Sequence, residues 1–126
     1  GYRITPNGGG PALAYLTDNE LGPGGASRVG STWRAELVRF VQGAALLIHD
    51  GMYTPVLAEE RSGWGHSSAL DAVSLAREAG VDHLALFHHD PDHDDAQVDG
   101  LLAMARAAAP AGLAVSAARE GWTVTL

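Results

Sequence analysis

The sequence predicts an α/β fold, in which strands and helices alternate along the chain. Short apolar runs, typical of buried strands, alternate with segments whose apolar residues recur at helical spacing. The predicted strands end in polar residues of metal-ligand or catalytic type, namely Asp18, His49, Asp50 and His88. In α/β sheets, functional sites form in the loops beyond the carboxyl ends of the strands. We therefore expect one sheet with one shared site along that edge.

The first predicted elements are a strand, a loop and a helix. Residues 12–17 are an apolar run that predicts a buried strand. The segment 22–30 is rich in glycine, also holds a proline and a serine, and predicts a loop. Ser31 or Thr32 is expected to cap a helix over about 33–42. The apolar face of that helix contains Trp33, Leu37, Val38 and Val41.

The middle of the chain predicts a second strand and a second helix. The run at 44–48 is continuously apolar and predicts a buried strand. A loop with several glycines follows at 51–65. Ser68 with Asp71 three residues later is typical of a capping box, so a helix should begin there. Gly80 should end that helix.

The last part of the chain predicts a strand, a helix and two short strands. The third strand covers 83–87 and ends at a histidine. A helix then begins at 94–95, because aspartate is favoured at helix starts, and it ends before Pro110. Short strands are expected near 113–116 and 122–126.

Composition limits the possible functions. The 126 residues are enough for one domain, and no apolar run is long enough to cross a membrane. We see no secretory leader and therefore expect a cytoplasmic protein. The net charge of -7 argues against broad electrostatic binding to nucleic acid. Because the chain has no cysteine, any metal must be held by its 6 histidines and 15 acidic residues.

The richest cluster of ligand-type residues lies at 87–95, which holds three histidines and four aspartates. Imidazole and carboxylate groups suit a hydrolytic metal ion. The alternative for His93, Asp94 and Asp95 is a solvated acidic loop that caps a helix. The alternative for His88 is a strand-end histidine bonded to the backbone.

Three further residues stand at predicted strand ends or helix starts. His66 lies just before a helix, where it can reach an anionic group, although a surface histidine in a flexible loop is the alternative. Asp50 ends a buried strand and can orient an imidazole as in a catalytic triad; the alternative is an ordinary loop-start aspartate. Asp18 can bridge two metals or simply begin a turn.

Taken in order, these segments resemble the second half of the metallo-β-lactamase superfamily. The likeness is strongest to its branch of ribonuclease Z-type tRNA 3′-processing endonucleases and related phosphodiesterases. The strand ending at Asp18 resembles the one whose aspartate bridges two metals. His49-Asp50-Gly51-Met52 resembles the family's His-Glu-Ala-Thr motif. His66-Ser67-Ser68 resembles its His-Ser-Thr motif, and Phe87-His88 resembles its last metal-ligand motif. Asp50 stands where the family has Glu.

The resemblance implies a metal-dependent hydrolase with two divalent ions. Zinc is the favoured ion, and manganese and iron are the alternatives. Asp18 and His88 would be metal ligands. His66, oriented by Asp50, would be the catalytic histidine and contact the substrate, which a metal-activated hydroxide attacks. Two further residues would support the site: His49 behind the ligands and Trp64 against the substrate.

One family motif is absent. The main metal cluster, His-x-His-x-Asp-His, does not occur in these residues. We infer that the N-terminal half of the domain lies outside this chain. Residues 1–126 would then be one half of an αβ/βα sandwich, with a mixed sheet and helices on one face. The opposite face would be apolar, and would pair with the missing half or with a second copy, giving a homo-oligomer.

Several functions remain open on this fold. The acidic charge favours a small phosphodiester, such as a cyclic nucleotide, over a structured RNA. The alternatives are a carboxylic-ester, lactone or thioester hydrolase, or a non-catalytic assembly module that kept the fold without the metal. A response-regulator-like domain is disfavoured, because it needs a lysine and the chain has none.

Overall fold

The computed structural model describes residues 1–22 and 32–126. The predicted cap Ser31 and nearly all of the predicted loop at 22–30 lie outside these residues. The described residues form five strands and four helices. The strands are β1 (Tyr2–Ile4), β2 (Leu13–Leu16), β3 (Leu46–Asp50), β4 (His83–Phe87) and β5 (Ala114–Ala117). The helices are α1 (Trp33–Val41), α2 (Pro55–Glu60), α3 (Ala69–Ala79) and α4 (Asp95–Ala108).

The strands form one mixed sheet in the order β1-β2-β3-β4-β5. Strands β2 to β5 run parallel, whereas β1 pairs antiparallel with β2 at one edge. The three-residue strand β1 was not predicted. Because the four parallel strands point the same way, their carboxyl ends lie along one edge of the sheet, and this edge carries the candidate site.

The hydrophobic core lies between one face of the sheet and three of the helices. Ala14, Leu47, Leu84 and Val115 are paired in register across the parallel strands, and all four are buried. They join one cluster with residues of α1, α3 and α4. Full burial of one leucine side chain contributes about 1.5–3 kcal/mol. The prediction of a mixed sheet with helices on one face is confirmed.

Local signals define both ends of α3. Ser68 accepts a hydrogen bond from the backbone N–H of Asp71, whose carboxylate accepts one from the backbone N–H of Ser68. The helix ends at Gly80, which has the left-handed φ of 63° that favours glycine. Asp94 and Gln97 form a second capping box at α4. The predicted starts of both helices are confirmed.

Two segments differ from the prediction. The predicted loop at 51–65 contains α2, which Thr54 caps by accepting from the backbone N–H of Leu57, and Pro55 favours its first turn. The predicted strand at 122–126 was wrong, because this segment pairs with no described strand. The ring of Trp122 instead packs edge-on against His83, with ring centroids 5.9 Å apart.

The face of the sheet opposite the core helices carries apolar residues of β1 to β4. Tyr2, Tyr15 and Ile48 are neighbours in register on this face. The Tyr2 side chain is 71% exposed, and Phe87, whose ring lies 6.0 Å from that of Tyr15, is 37% exposed. We call this surface, formed by these four residues, the open face. In the described part of the chain, no helix is both long enough and apolar enough to cross a bilayer.

Candidate metal centre

Three side chains with metal-ligand atoms meet at the carboxyl edge of the sheet. Asp18 follows β2, His88 follows β4, and His66 lies in the loop that leads into α3. One ligand atom of each lies within 4.8 Å of the other two. Among the described residues, no other group of three such side chains comes this close. The structure thus brings together three of the residues that the sequence singled out.

The backbone is strained at two of these three positions. Asp18 has φ of 50° and His88 has φ of 58°, and they are the only non-glycine residues with positive φ in the described part of the chain. For residues with a β-carbon, this left-handed conformation costs about 1–2 kcal/mol. Each residue ends a parallel strand by turning the chain sharply. Strain of this kind is concentrated at functional sites, where it fixes the direction of a side chain.

The three side chains form an open, solvent-accessible arrangement. His88 Nε2 lies 3.4 Å from Asp18 Oδ1, and the Asp18 side chain is 69% exposed. The rings of His66 and His88 are stacked, with centroids 4.9 Å apart and an interplanar angle of 26°. An ion or a substrate could approach this cluster from solvent without any rearrangement of the core.

Asp50 holds His66 from behind. Its Oδ2 lies 2.7 Å from His66 Nδ1, and its Oδ1 accepts hydrogen bonds from the backbone N–H groups of Met52 and Ser67. The carboxylate is fully buried at the end of β3. A carboxylate in this position keeps the hydrogen on Nδ1 and leaves Nε2 free to bind a metal or exchange a proton.

His49 lies beside Asp50 but faces the core. Its Nδ1 donates to the backbone carbonyl of Asp50 (2.6 Å), and its Nε2 lies 3.1 Å from the Nδ2 atom of Asn19. Burial lowers the pKa of His49, because the charged ring would lose its water. With both ring nitrogens occupied, His49 supports the segment after Asp18 and is not one of the three clustered ligands.

The loop before His66 is held by a carboxylate that the sequence analysis missed. Glu20 accepts hydrogen bonds from the backbone N–H groups of Gly63 (2.8 Å) and Gly65 (3.0 Å). Ser67 Oγ then donates to the backbone carbonyl of Asn19. These bonds connect the segment after Asp18 to the segment that carries His66. Two glycines close to a candidate site histidine were the signal that the backbone here needs a partner.

Trp64 lies on the surface next to the site. Its side chain is 65% exposed, and the guanidinium of Arg61 lies 5.5 Å from the centre of its ring. Arg61 also lies 5.1 Å from the centre of the Tyr53 ring, which packs edge-on against His66. The sequence analysis singled out Trp64 but missed Arg61, since an arginine within a predicted loop carries no motif.

The acidic cluster after His88 separates into different roles. Asp94 caps α4, as the alternative interpretation expected, and Asp95 is the first residue of that helix. His89 Nε2 lies 3.2 Å from the backbone carbonyl of Ala118.

Asp90 is buried and forms an ion pair with Arg61. The pKa of Asp90 is lowered, first by the hydrogen bond from the backbone N–H of Asp92 and also by Arg61. Only His88 of this cluster joins the three ligands.

Sequence comparison places this chain beside ribonucleases. No family model matches it. Over 59 residues, or 47% of the chain, it is 41% identical to ribonuclease Z of Ignicoccus hospitalis, and this stretch is 20% of that relative. Over 63 residues it is 37% identical to ribonuclease Z of Brevibacillus brevis, again 20% of the relative. The matched stretch thus spans about one fifth of these curated relatives.

A solved structure shares the architecture of most of the chain. The metallo-β-lactamase fold protein YhfI from Bacillus subtilis superposes with a TM-score of 0.64 at 23% sequence identity. The superposition covers 89% of this chain and 39% of that protein. The chain has a metallo-β-lactamase fold. The predicted fold class is confirmed, and the sequence similarity to ribonuclease Z agrees with the resemblance found in the motifs.

The glycine after Asp50 has a structural reason. Gly51 stands where the motif that this segment resembles, His-Glu-Ala-Thr, has alanine. A β-carbon at Gly51 would lie 2.8 Å from Leu86 Cδ2 and 3.3 Å from Leu86 Cβ. Leu86 is almost fully buried, so it has little room to give way. The close approach of these two residues holds the segment after Asp50 against β4.

The donor set fits a divalent metal ion. One carboxylate and two imidazoles are ligands that zinc, manganese and iron accept in hydrolytic sites. Asp18 is exposed, and the Nδ1 atom of His66 is already bonded to Asp50, as is usual for histidines that bind metal or exchange protons. The chain therefore carries, along the carboxyl edge of its metallo-β-lactamase sheet, a group of side chains that could hold a divalent ion.

Proposed function

We propose that this chain contributes half of the active site of a metal-dependent hydrolase that cleaves phosphodiesters. The observation that carries the proposal is the convergence of ligand atoms of Asp18, His66 and His88 within 4.8 Å, with Asp50 bonded to His66 from behind. An exposed carboxylate and two imidazoles, one of them oriented by a buried carboxylate, are the parts that hydrolysis of this kind requires.

Asp18 and His88 would be ligands of two divalent ions. Zinc is the favoured ion, and manganese and iron are the alternatives. When bound, such ions lower the pKa of water and neutralise negative charge on the substrate. The strained backbone at Asp18 and His88 supports this role, because it fixes the direction of each side chain before any ion binds. The exposed position of Asp18 is compatible with a carboxylate shared between two ions.

His66 would be the catalytic histidine. Asp50 accepts from its Nδ1, so its Nε2 is the atom that can face a substrate. In its protonated form, the Nε2–H would stabilise the charge that develops on the phosphoryl group and then donate the proton to the leaving oxygen. The buried Asp50 carboxylate would stabilise the protonated ring throughout.

Two further residues would support this chemistry. His49 would hold the segment after Asp18 through its contact with Asn19. Trp64 would contact the substrate, since its ring is exposed two residues before His66. An aromatic surface near a phosphodiester site is suited to stacking with a nucleobase.

The open face would be covered by the other half of the domain. Its tyrosines, isoleucine and phenylalanine form an apolar surface next to the site, and such surfaces usually mark an interface. In the complete protein, that half would supply the His-x-His-x-Asp-His cluster. Residues 1–126 would then be the C-terminal half of the domain. A second copy of this chain is the other occupant that we propose, and we place the whole assembly in the cytoplasm.

The relatives and the charge support a phosphodiester as the bond to be cleaved. The relatives are named as ribonucleases, which supports a phosphodiester of a nucleic acid or a nucleotide. The net charge of -7 favours a small phosphodiester, such as a cyclic nucleotide, over a long RNA. The other candidates are a carboxylic ester, lactone or thioester, and a fold without catalysis.

The proposal is tested by two substitutions in the complete protein. Asp18→Ala should remove metal, as measured by elemental analysis. His66→Ala should keep the metal and lower turnover of bis-p-nitrophenyl phosphate by about 10²–10⁴-fold, the usual contribution of a general acid. Equal metal loss in both variants would make His66 a ligand instead. Turnover of lactones but not phosphodiesters would favour the ester hydrolase, and metal-free protein without turnover would favour the assembly module.

A further inference from the structure

Arg61 lies between the two loops that carry His66 and His88. It follows the last turn of α2, and its Nη1 donates to Asp90 Oδ2 at 2.9 Å. Asp90 lies two residues after His88 and is only 6% exposed. The ion pair therefore holds the loop in which His88 takes up its left-handed backbone conformation.

The same guanidinium also contacts the His66 loop. It lies over the rings of Tyr53, at 5.1 Å, and Trp64, at 5.5 Å. Trp64 is two residues before His66, and the buried Tyr53 packs edge-on against the His66 ring, with centroids 5.8 Å apart. A planar guanidinium can stack on aromatic rings and donate at its edge at the same time, which a lysine ammonium cannot do.

We propose that Arg61 is a positioning residue that sets the separation of His66 and His88. The inference rests on the proposed function, because it assigns Arg61 to the same metal centre. Arg61 acts on His88 through Asp90, and on His66 through Tyr53 and Trp64. Loss of the guanidinium frees the loop after β4, and the stacked rings, 4.9 Å apart, lose their fixed spacing. Removal of a group that supports metal ligands in this way typically weakens metal binding by about 10–100-fold.

The test is a Co²⁺ titration of the chain, followed by the visible absorption of the bound ion. Arg61→Met should weaken Co²⁺ binding about 10-fold or more and alter the absorption spectrum. Arg61→Lys keeps the charge but not the planar group, and should restore only part of the affinity. Arg34→Met is the matched control, because Arg34 also pairs with a carboxylate, Glu78 Oε1, at 2.7 Å, but on the helical surface. Its Co²⁺ affinity should stay within about twofold of the unsubstituted chain.

A second variant keeps the test decisive if Arg61→Met does not fold, as judged by circular dichroism. Asp90→Asn breaks the same ion pair and should weaken Co²⁺ binding in the same way. If Arg61→Met binds Co²⁺ as tightly as the control Arg34→Met does, the inference is overturned and the proposed function stays intact. If Arg61→Met is unfolded, the same comparison is made between Asp90→Asn and Arg34→Met. If the unsubstituted chain alone binds no Co²⁺, the same titrations are made with the complete protein, in which the other half adds its ligands. Absence of Co²⁺ binding there as well contradicts the metal centre itself, and the inference falls with it.

A substrate contact by Arg61 gives a different result. In the complete protein, a residue that only binds substrate raises KM and leaves both kcat and Co²⁺ affinity unchanged. A positioning residue lowers kcat together with Co²⁺ affinity. An effect of Arg61→Met on KM alone therefore contradicts the inference.

Discussion

The imidazole of His66 and the carboxylate of Asp50 meet at 2.7 Å, one at the surface edge of the sheet and the other fully buried beneath it. The second oxygen of Asp50 accepts from two backbone N–H groups, of Met52 and Ser67. Because a buried acceptor without a donor costs about 1–3 kcal/mol, the ring cannot turn away freely. The direction of its Nε2 is therefore set by the core of the protein.

Asp50→Asn should lower kcat without removing metal. An amide in place of the carboxylate can present its NH₂ group to Nδ1, which favours the wrong ring tautomer, and it no longer stabilises a protonated ring. We expect a loss of at least about 10-fold in kcat, measured on bis-p-nitrophenyl phosphate with the complete protein. Asp71→Asn, which perturbs only the capping box of α3, is the control and should affect stability alone. Unchanged kcat in Asp50→Asn would refute the role of this couple.

His88→Gly should be more stable than His88→Ala. The left-handed φ of 58° is free of strain for glycine but costs a residue with a β-carbon about 1 kcal/mol or more. The difference is measured as the free energy of unfolding in urea. The same order should hold for Asp18→Gly and Asp18→Ala, where φ is 50°. If the alanine variants are as stable as the glycine variants, the turns at the two strand ends are not strained.

Gly51→Ala should destabilise the protein by about 1–3 kcal/mol, the usual cost of overpacking. The new β-carbon would contact the side chain of Leu86 at 2.8 Å in the core. Gly100→Ala is the matched control in α4, where no atom lies within 4 Å of the new β-carbon, and it should be neutral or stabilising. Urea unfolding of both variants measures the difference. Equal stability of the two would mean that the segment after β3 adapts.

Leu86→Ala gives a check on the same contact. It should cost about 2–5 kcal/mol by itself. Adding Gly51→Ala to it should cost less than Gly51→Ala does in the unsubstituted chain, because the overlap has been removed. Strict additivity would place the cost of the extra methyl elsewhere.

Stability should fall in mild acid because of His49. Burial lowers its pKa in the folded state, whereas in the unfolded state the side chain keeps the ordinary histidine pKa of 6.5. At pH below 6.5 the unfolded chain therefore binds more protons, and the free energy of unfolding falls as pH falls. Above 6.5 the contribution is fully present. Urea unfolding between neutral and mildly acidic pH measures this slope.

His49→Gln should reduce that slope. Glutamine can replace part of the hydrogen bonding of His49 but does not titrate. Some slope should remain, because burial also lowers the pKa of His83. An unchanged slope in His49→Gln would mean that the acid sensitivity has another source.

Ile48→Glu should abolish association through the open face. A carboxylate at this position is costly to bury in an interface. Sedimentation equilibrium of the chain alone tests pairing with itself, and copurification with the other half tests pairing in the domain. Val56→Glu is the control, because Val56 is an exposed apolar residue of α2. Equal association of both variants would exclude the open face as the interface.

Local patterns predicted the parts of the fold that local forces determine. The capping box of Ser68 and Asp71 and the left-handed Gly80 act over a few residues, so the ends of α3 could be predicted. The three-residue strand β1 exists only because β2 is there to pair with it, and no local pattern reveals that. The segment 122–126 has an alternation typical of a strand, but it lies beyond β5 without a partner strand among the described residues.

The site was predictable to the extent that it lies at strand ends. Asp18 and His88 follow apolar runs whose carboxyl ends share one edge, so their proximity could be expected from the topology. Asp50 and His66 were paired through their resemblance to family motifs. Arg61 and Glu20 could not be found in this way. Each acts on a loop that is distant in sequence, and their contacts depend on how loops pack after the sheet has formed.

Because Asp18, His66 and His88 arrive from separate strands and loops, no short piece of the chain contains the cluster. Opening of β2 or β4 alone would disperse the donors. A bound ion would thus stabilise the whole sheet. It would raise the free energy of unfolding by about 1.4 kcal/mol for each tenfold excess of the ion concentration over its dissociation constant. Amide exchange in the central strands should slow together, and the ion would be a probe of how cooperatively the sheet unfolds.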